Sequence, residues 1–200
     1  MLKPIVQRAL AGHIVWSMPG KLKKLYLTFD DGPHHIYTPL VMDILEKYGI
    51  HGTFFLIGNN VMKYPEITRQ IVARGHKIGN HSFTHRIEFK TGTADYKHEI
   101  QRFNEVINNA AGVQTRLIRP PWGVVPTKLL FHCICNHLKL VLWSFDSLDC
   151  KHEQNRGIKT ATSGDIILLH DDARFVVDIL KNNLEHLLDV GFTFSTISEQ

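Results

Sequence analysis

The sequence predicts an α/β fold, a distorted (β/α) barrel of seven strands left incompletely closed. Three observations predict it. Short β-branched or aromatic runs alternate with amphipathic helical patterns along most of the chain, the order that builds a parallel sheet. Seven such runs suit a barrel better than an open doubly wound sheet. The 200 residues, 44% of them hydrophobic, suffice for one well-cored domain, and no linker or low-complexity stretch divides them.

Taken in order, residues 1–21 form an N-terminal extension and residues 22–200 the domain. Lys3, Gln7, Arg8 and His13 interrupt the apolar stretches of the extension, which makes it a poor signal peptide. Strands are expected over 25–29, 53–57, 77–80, 116–118, 140–145, 166–169 and 192–196. The first helix, over 38–48, places Leu40, Val41, Ile44 and Leu45 at helical spacing, and the next, over 64–74, meets its stop signal at Gly75. Helices over 94–110, 127–138 and 173–190 complete the main set, and the polar stretch 151–162 carries no clear pattern.

A net charge of +4 is spread along the chain without a basic block, so nucleic acid is not an expected partner. No apolar run approaches the roughly 18–20 residues of a membrane span, and no transmembrane segment is expected. The three cysteines, Cys133, Cys135 and Cys150, cannot form an even disulfide framework, and a reducing compartment fits them slightly better than an oxidising one. Cys133 and Cys135 fall inside the helix over 127–138, where they point in different directions. They are expected to be buried core thiols rather than metal ligands.

In parallel α/β folds chemistry gathers at the C-terminal ends of strands. Those ends hold Asp30 and Asp31 after the first strand, His81 and His85 after the third, Arg119 after the fourth, Asp146 and Asp149 after the fifth, and His170 after the sixth. Adjacent carboxylates leaving a strand can point differently, so one can bind a metal while the other handles a proton. His81 and His85 have the i, i+4 spacing that one helical turn brings to a common face. With 13 histidines about one such spacing is expected by chance, and it is the position at a strand end that raises its value. Two histidines and a carboxylate make a common three-ligand zinc set with a position left open, and Asp31 is the natural third ligand. Asp30 is then free as a base, with Arg119 to hold and ionise it. His170, as a proton donor, needs a carboxylate behind it, either Asp149 or Asp146.

Together these residues resemble the polysaccharide deacetylases of carbohydrate esterase family 4, the nodulation-type deacetylase domain. Thr28-Phe29-Asp30-Asp31-Gly32-Pro33, His81-Ser82-Phe83-Thr84-His85, Arg119-Pro120-Pro121-Trp122-Gly123, Asp146-Ser147-Leu148-Asp149-Cys150 and Leu168-Leu169-His170 match the five family motifs in order. The resemblance spans about residues 22–199 and rests on joint occurrence, because each motif alone is weak. It implies a divalent metal, usually zinc, on Asp31, His81 and His85, with Asp30 as base and Arg119 orienting it. It also implies that Asp149 partners the catalytic acid His170 and that Leu168 walls the acetyl-methyl pocket. The resemblance further makes Pro121, Trp122 and Gly123 a substrate-binding loop, in which the Trp122 N–H, at a position the family usually gives to Tyr, is expected to help hold the oxyanion. Cys150 stands where the family commonly has a groove-lining Trp, which removes a stacking surface and puts substrate choice in question.

The implied function is metal-dependent removal of N-acetyl groups from N-acetylglucosamine-containing glycans of the chitooligosaccharide or peptidoglycan type. Hydrolysis of a related amide or O-acetyl ester, and a barrel that binds carbohydrate without turnover, are the alternatives, since metal, base and acid do not specify the acyl carrier. The family suggests a secreted or cell-envelope protein, which the poor signal peptide does not support.

Overall fold

The computed structural model describes residues 13–20, 22–88, 95–149, 157–172 and 174–198. Among these, nine strands form one sheet: β1 (Ile14–Val15), β2 (Lys24–Asp30), β3 (Thr53–Leu56), β4 (Lys77–Asn80), β5 (Leu117–Ile118), β6 (Lys139–Val141), β7 (Phe145–Asp146), β8 (Ile166–His170) and β9 (Thr193–Phe194). Six helices accompany them: α1 (Tyr37–Lys47), α2 (Gly58–Lys63), α3 (Pro65–Ala73), α4 (Tyr96–Ala111), α5 (Thr127–Cys135) and α6 (Phe175–Asp189). The strand order is β1-β6-β5-β4-β3-β2-β8-β7, with β9 joined to the start of β2. Every strand pair is parallel and the two ends of the order do not meet, so the sheet curls into an open barrel, as expected.

Two features depart from the expected strands. The run over 140–145 is divided, because Leu142 N–H donates to Val15 on one side of the sheet while Ser144 N–H donates to Ile166 on the other. The chain changes partners there and cannot remain one strand. Ile14 and Val15, at the end of the N-terminal extension, pair with Leu140 and Val141 as the edge strand β1. An unexpected helix, α2, also precedes α3, with Pro65 opening the second of the two.

Alternation along β2 decides what faces where. Leu25, Leu27 and Phe29 pack outward with Phe54, Leu56, Ile167 and Leu169 under α1 and α6. Tyr26 faces the barrel interior with Phe55, Leu117, Val141, Ile166 and Ile197. Thr28 and Asp30 share the parity of Tyr26, and their registered partners on β8 are Leu168 and His170. The interior is therefore apolar below and polar at the mouth formed by the strand C-termini. Cys133 is buried as expected, which pushes its thiol up to about 12, but Cys135 is exposed because it sits on the last turn of α5, facing away from the sheet. No helix among the described residues is long and apolar enough to cross a membrane.

Candidate active site

Asp30 ends β2, buried, and Asp31 leaves it in a left-handed conformation with φ 73°. For an L-residue that conformation costs about 1–2 kcal/mol, so the surroundings must impose it. Asn60 does so in part, its Nδ2 donating to the Asp31 carbonyl at 2.7 Å. The consequence is that the two carboxylates diverge. Asp30 turns to Arg119, and Asp31 turns to the two histidines.

Arg119 has no exposed surface, and its guanidinium lies over the Phe55 ring at 4.1 Å from the centroid. Nη1 donates to Asp30 Oδ1 at 2.7 Å and to Thr28 Oγ1 at 2.8 Å, while Nε and Nη2 donate to the Val141 and Leu142 carbonyls at 3.2 and 3.0 Å. Burial pulls the Arg119 pKa down and the Asp30 charge pulls it back up. A buried cation so fully bonded fixes one orientation of the carboxylate it faces.

Asp31 Oδ1 lies 3.4 Å from His81 Nε2 and 3.3 Å from His85 Nε2. These three residues are the one cluster among those described that brings metal-ligand atoms together, all within 4.8 Å. His81 Nδ1 can only donate to the Arg119 carbonyl, 2.7 Å away, which leaves the Nε2 lone pair aimed at Asp31. Burial holds His81 down to about 4 and also lowers His85, so both imidazoles are neutral near pH 7 and fit to bind a cation. Asp31 Oδ1 is buried without a hydrogen-bond partner, and burial followed by the Asp30 charge pushes its carboxyl up to about 7. Atoms bound to one tetrahedral zinc at about 2.0–2.1 Å lie about 3.3–3.4 Å apart, so the spacing and the orphaned oxygen both fit a zinc-sized ion.

The segment between the histidines is not the helical turn that the i, i+4 spacing suggests. Ser82 and His85 have φ of 69° and 51°, and the imidazoles converge through a loop. Asn80 Oδ1 accepts from Ser82 N–H at 2.7 Å, and Ser82 Oγ accepts from His85 N–H at 2.9 Å.

Across the mouth, His170 Nδ1–H donates to Asp149 Oδ1 at 2.7 Å, and the His170 backbone N–H donates to Asp149 Oδ2 at 2.6 Å. Of the two candidate partners, Asp149 is the one in contact. Asp146 instead accepts from Leu148 N–H within its own turn. Burial lowers the His170 pKa, but the Asp149 hydrogen bond and charge, with Asp30 and Asp31, overcome it and carry it up to about 10. His170 is thus a cation with Nε2 left over to give a proton.

Pro121, Trp122 and Gly123 form a 3₁₀ turn with Trp122 at φ 57°; the residue is 43% exposed and its ring centroid lies 4.6 Å from that of His85. Gly123, at φ 67°, must lack a side chain, because a Cβ there would lie 2.6 Å from the Trp143 ring. Leu168 is nearly buried and faces the same side of β8 as His170. Cys150 lies outside the described residues.

Three contributors were not singled out from the sequence. Thr28 shares Arg119 with Asp30, and Glu99 of α4 binds the histidine loop. Asp171 is fully buried behind the aspartate turn, hydrogen-bonded by Thr38, and a Cβ on Gly32 would collide with its carboxylate. Gly32 is therefore needed for a close approach as well as for the turn. The strand-end rule reaches Asp171 beside His170, whereas nothing in the sequence near Glu99 marks it.

A family model described as polysaccharide deacetylase matches residues 18–133. The chain is 33% identical to a peptidoglycan-N-acetylglucosamine deacetylase of Bacillus cereus over 94% of its own length and 92% of the relative's. It is 36% identical to the peptidoglycan-N-acetylmuramic acid deacetylase PdaA of Bacillus subtilis, covering 90% of this chain and 72% of that one. The solved structure of PdaA from Bacillus subtilis, described as a family 4 carbohydrate esterase, superposes with a TM-score of 0.86 at 32% identity, covering 98% of this chain and 88% of that one. A crystal structure of a peptidoglycan N-acetylglucosamine deacetylase in complex with a substituted benzamide gives a TM-score of 0.88 at 29% identity, covering 98% and 95%.

Proposed function

The chain belongs to the polysaccharide deacetylase family, carbohydrate esterase family 4, and is a carbohydrate deacetylase; from that premise we propose that it hydrolyses the N-acetyl groups of N-acetylhexosamine residues in peptidoglycan-type glycans, with a divalent cation, zinc, on Asp31, His81 and His85. The observation that carries the metal-dependent part is the orphaned, buried Asp31 Oδ1 set 3.3 and 3.4 Å from two neutral imidazole nitrogens. The peptidoglycan part rests on the relatives, two of which are named for acting on its two sugars.

Bound there, the cation supplies Lewis acidity toward the acetyl carbonyl and the attacking water. Asp30, oriented by Arg119, takes the proton from that water as it attacks the carbonyl carbon. The Trp122 N–H, presented by the 3₁₀ turn, donates to the developing oxyanion. His170 delivers its Nε2 proton to the sugar nitrogen as the C–N bond breaks, while Asp149 holds the imidazolium. Leu168 lines the space for the acetyl methyl group. The products are acetate and a free amine on the sugar.

Acetate release from peptidoglycan fragments and from chitooligosaccharides, by chelator-stripped protein with and without added zinc, tests this reading. Zinc-dependent acetate release from peptidoglycan fragments is expected. Release only from another acyl carrier overturns the substrate, and saturable sugar binding with no acid released overturns the catalysis.

A further inference from the structure

The loop that carries His81 and His85 is mounted on a helix from elsewhere in the chain, and we propose that Glu99 of α4 is the positioning residue that sets the two imidazoles at metal-binding distance. The inference rests on the reading of Asp31, His81 and His85 as ligands.

Other contacts also hold this loop. Ser82 N–H and His85 N–H are satisfied by Asn80 and Ser82 side chains, and the carbonyls of Ser82 and Phe83 accept from Gly58 and Asn59 N–H at the start of α2. The apex is held by Glu99. Its Oε2 accepts from the amides of both Phe83 and Thr84, at 2.9 and 2.8 Å, and its Oε1 accepts from Thr84 Oγ1 at 2.8 Å. Three residues further along the same helix face, the Arg102 guanidinium lies 3.8 Å from the centroid of the Phe83 ring. A single helix face therefore grips the loop by its backbone and by its largest side chain.

The consequence concerns spacing. Ser82 and His85 occupy left-handed conformations that L-residues leave readily when released, and His85 directly follows the residue that Glu99 binds twice. A drift of half an ångström at this position changes the 3.3 Å separation of His85 Nε2 from Asp31 Oδ1 by a chemically large amount. Groups that orient metal ligands without touching the metal typically alter affinity by about 10- to 100-fold. Glu99 acts here through peptide amides rather than through an imidazole nitrogen, so it orients two ligands at once.

The test is zinc affinity, measured on chelator-stripped full-length chain by competition with a chromophoric chelator, together with the thermal midpoint of the metal-free protein. Glu99→Ala is expected to weaken zinc binding about 10- to 100-fold. Glu99→Asp, one methylene too short to reach the loop, is expected to weaken it similarly. Glu99→Gln keeps an oxygen for the two amides and an N–H for the Thr84 hydroxyl, and is expected to stay within about 3-fold of wild type. If Glu99→Ala does not fold, the contrast between the Asp and Gln variants decides. Wild-type affinity in Glu99→Asp, or an equal loss in Glu99→Gln, overturns the proposal, as does a lowered metal-free midpoint with unchanged affinity. A wild-type chain that binds no zinc overturns the ligand reading itself, a failure seen in a different arm.

Discussion

Arg119 Nη1 and Asp30 Oδ1 lie 2.7 Å apart in a pair that is almost completely removed from solvent, with the guanidinium anchored by Thr28 and two backbone carbonyls. Removing one member of such a pair is not equivalent to removing the other. Arg119→Ala leaves a buried carboxylate without its counter-charge and is expected to cost about 3–5 kcal/mol of stability. Asp30→Asn also removes a counter-charge, but the guanidinium keeps an acceptor oxygen on Asn along with Thr28 and two carbonyls, so it is expected to cost less stability than Arg119→Ala, yet to lose about 10²- to 10⁴-fold in acetate release through the missing base. Urea melts beside initial rates separate the two. Near wild-type turnover by Asp30→Asn refutes the role of Asp30 as base.

This pair also marks how far the sequence could be followed. Asp30, Asp31, His81, His85, Arg119 and His170 each follow an apolar run, and a parallel sheet collects strand ends at one rim, so their juxtaposition was legible without coordinates. The conformation between His81 and His85 was not. An i, i+4 spacing fits a helical turn and a loop alike, and a carboxylate on α4, 15 residues from Thr84, helps determine which forms. The division of the strand over 140–145 is similar in origin: its residues are apolar apart from Ser144, and it is the change of hydrogen-bond partner between Leu142 and Ser144 that ends it. Long-range hydrogen bonds leave no periodicity for a reader to find.

The Asp149–His170 contact predicts a pH dependence. Burial pulls His170 down, the Asp149 hydrogen bond and charge lift it, and the balance places it near 10, well above the usual value of 6.5. A proton donor must carry its proton, so the acid step is available below about 10 and is lost as pH rises through that value. The stability linked to this shift has the same sign, fully present below 6.5 and fading toward 10. In Asp149→Asn the lifting charge is gone while burial remains, so the alkaline limb of kcat/KM is expected to move to lower pH. A pH–rate profile from 6 to 11 would show this, and an unmoved limb would count against His170 as the acid.

Gly123 brings the turn bearing Trp122 against the Trp143 ring. Gly123→Ala is expected to lose about 1–2 kcal/mol from its φ of 67° alone, and more because the new methyl meets the Trp143 ring at 2.6 Å. Relief requires the turn or the indole to shift, and small misplacements of catalytic groups cost up to about 10²-fold in rate. Gly49, at φ 65° with open space where a Cβ would stand, is the control. Gly49→Ala is expected to show the conformational cost without the loss of activity. Equal activity in the two variants, measured at one temperature below both unfolding transitions, would show that the turn tolerates displacement.

Asp171 supplies the last prediction. Its side chain is fully buried, one oxygen takes the Thr38 hydroxyl, and the other has no hydrogen-bond partner. An ionised oxygen left that way is costly, and burial is the main cause that lifts the carboxyl from 3.8 to about 7, with Thr38 opposing and Asp172 and Asp31 adding to the rise. Because the native state holds this proton where the unfolded chain has released it, the Asp171 contribution to stability falls as pH rises from about 4 to about 7. Asp171→Asn keeps the acceptor for Thr38 and has no proton to lose. The variant is expected to lose less stability than wild type over that window and to gain relative to it at pH 8. Urea midpoints at pH 4, 5.5, 7 and 8 give the comparison. Parallel curves would mean that Asp171 stays ionised behind Gly32 throughout, and that the orphaned oxygen is stabilised by something other than a proton.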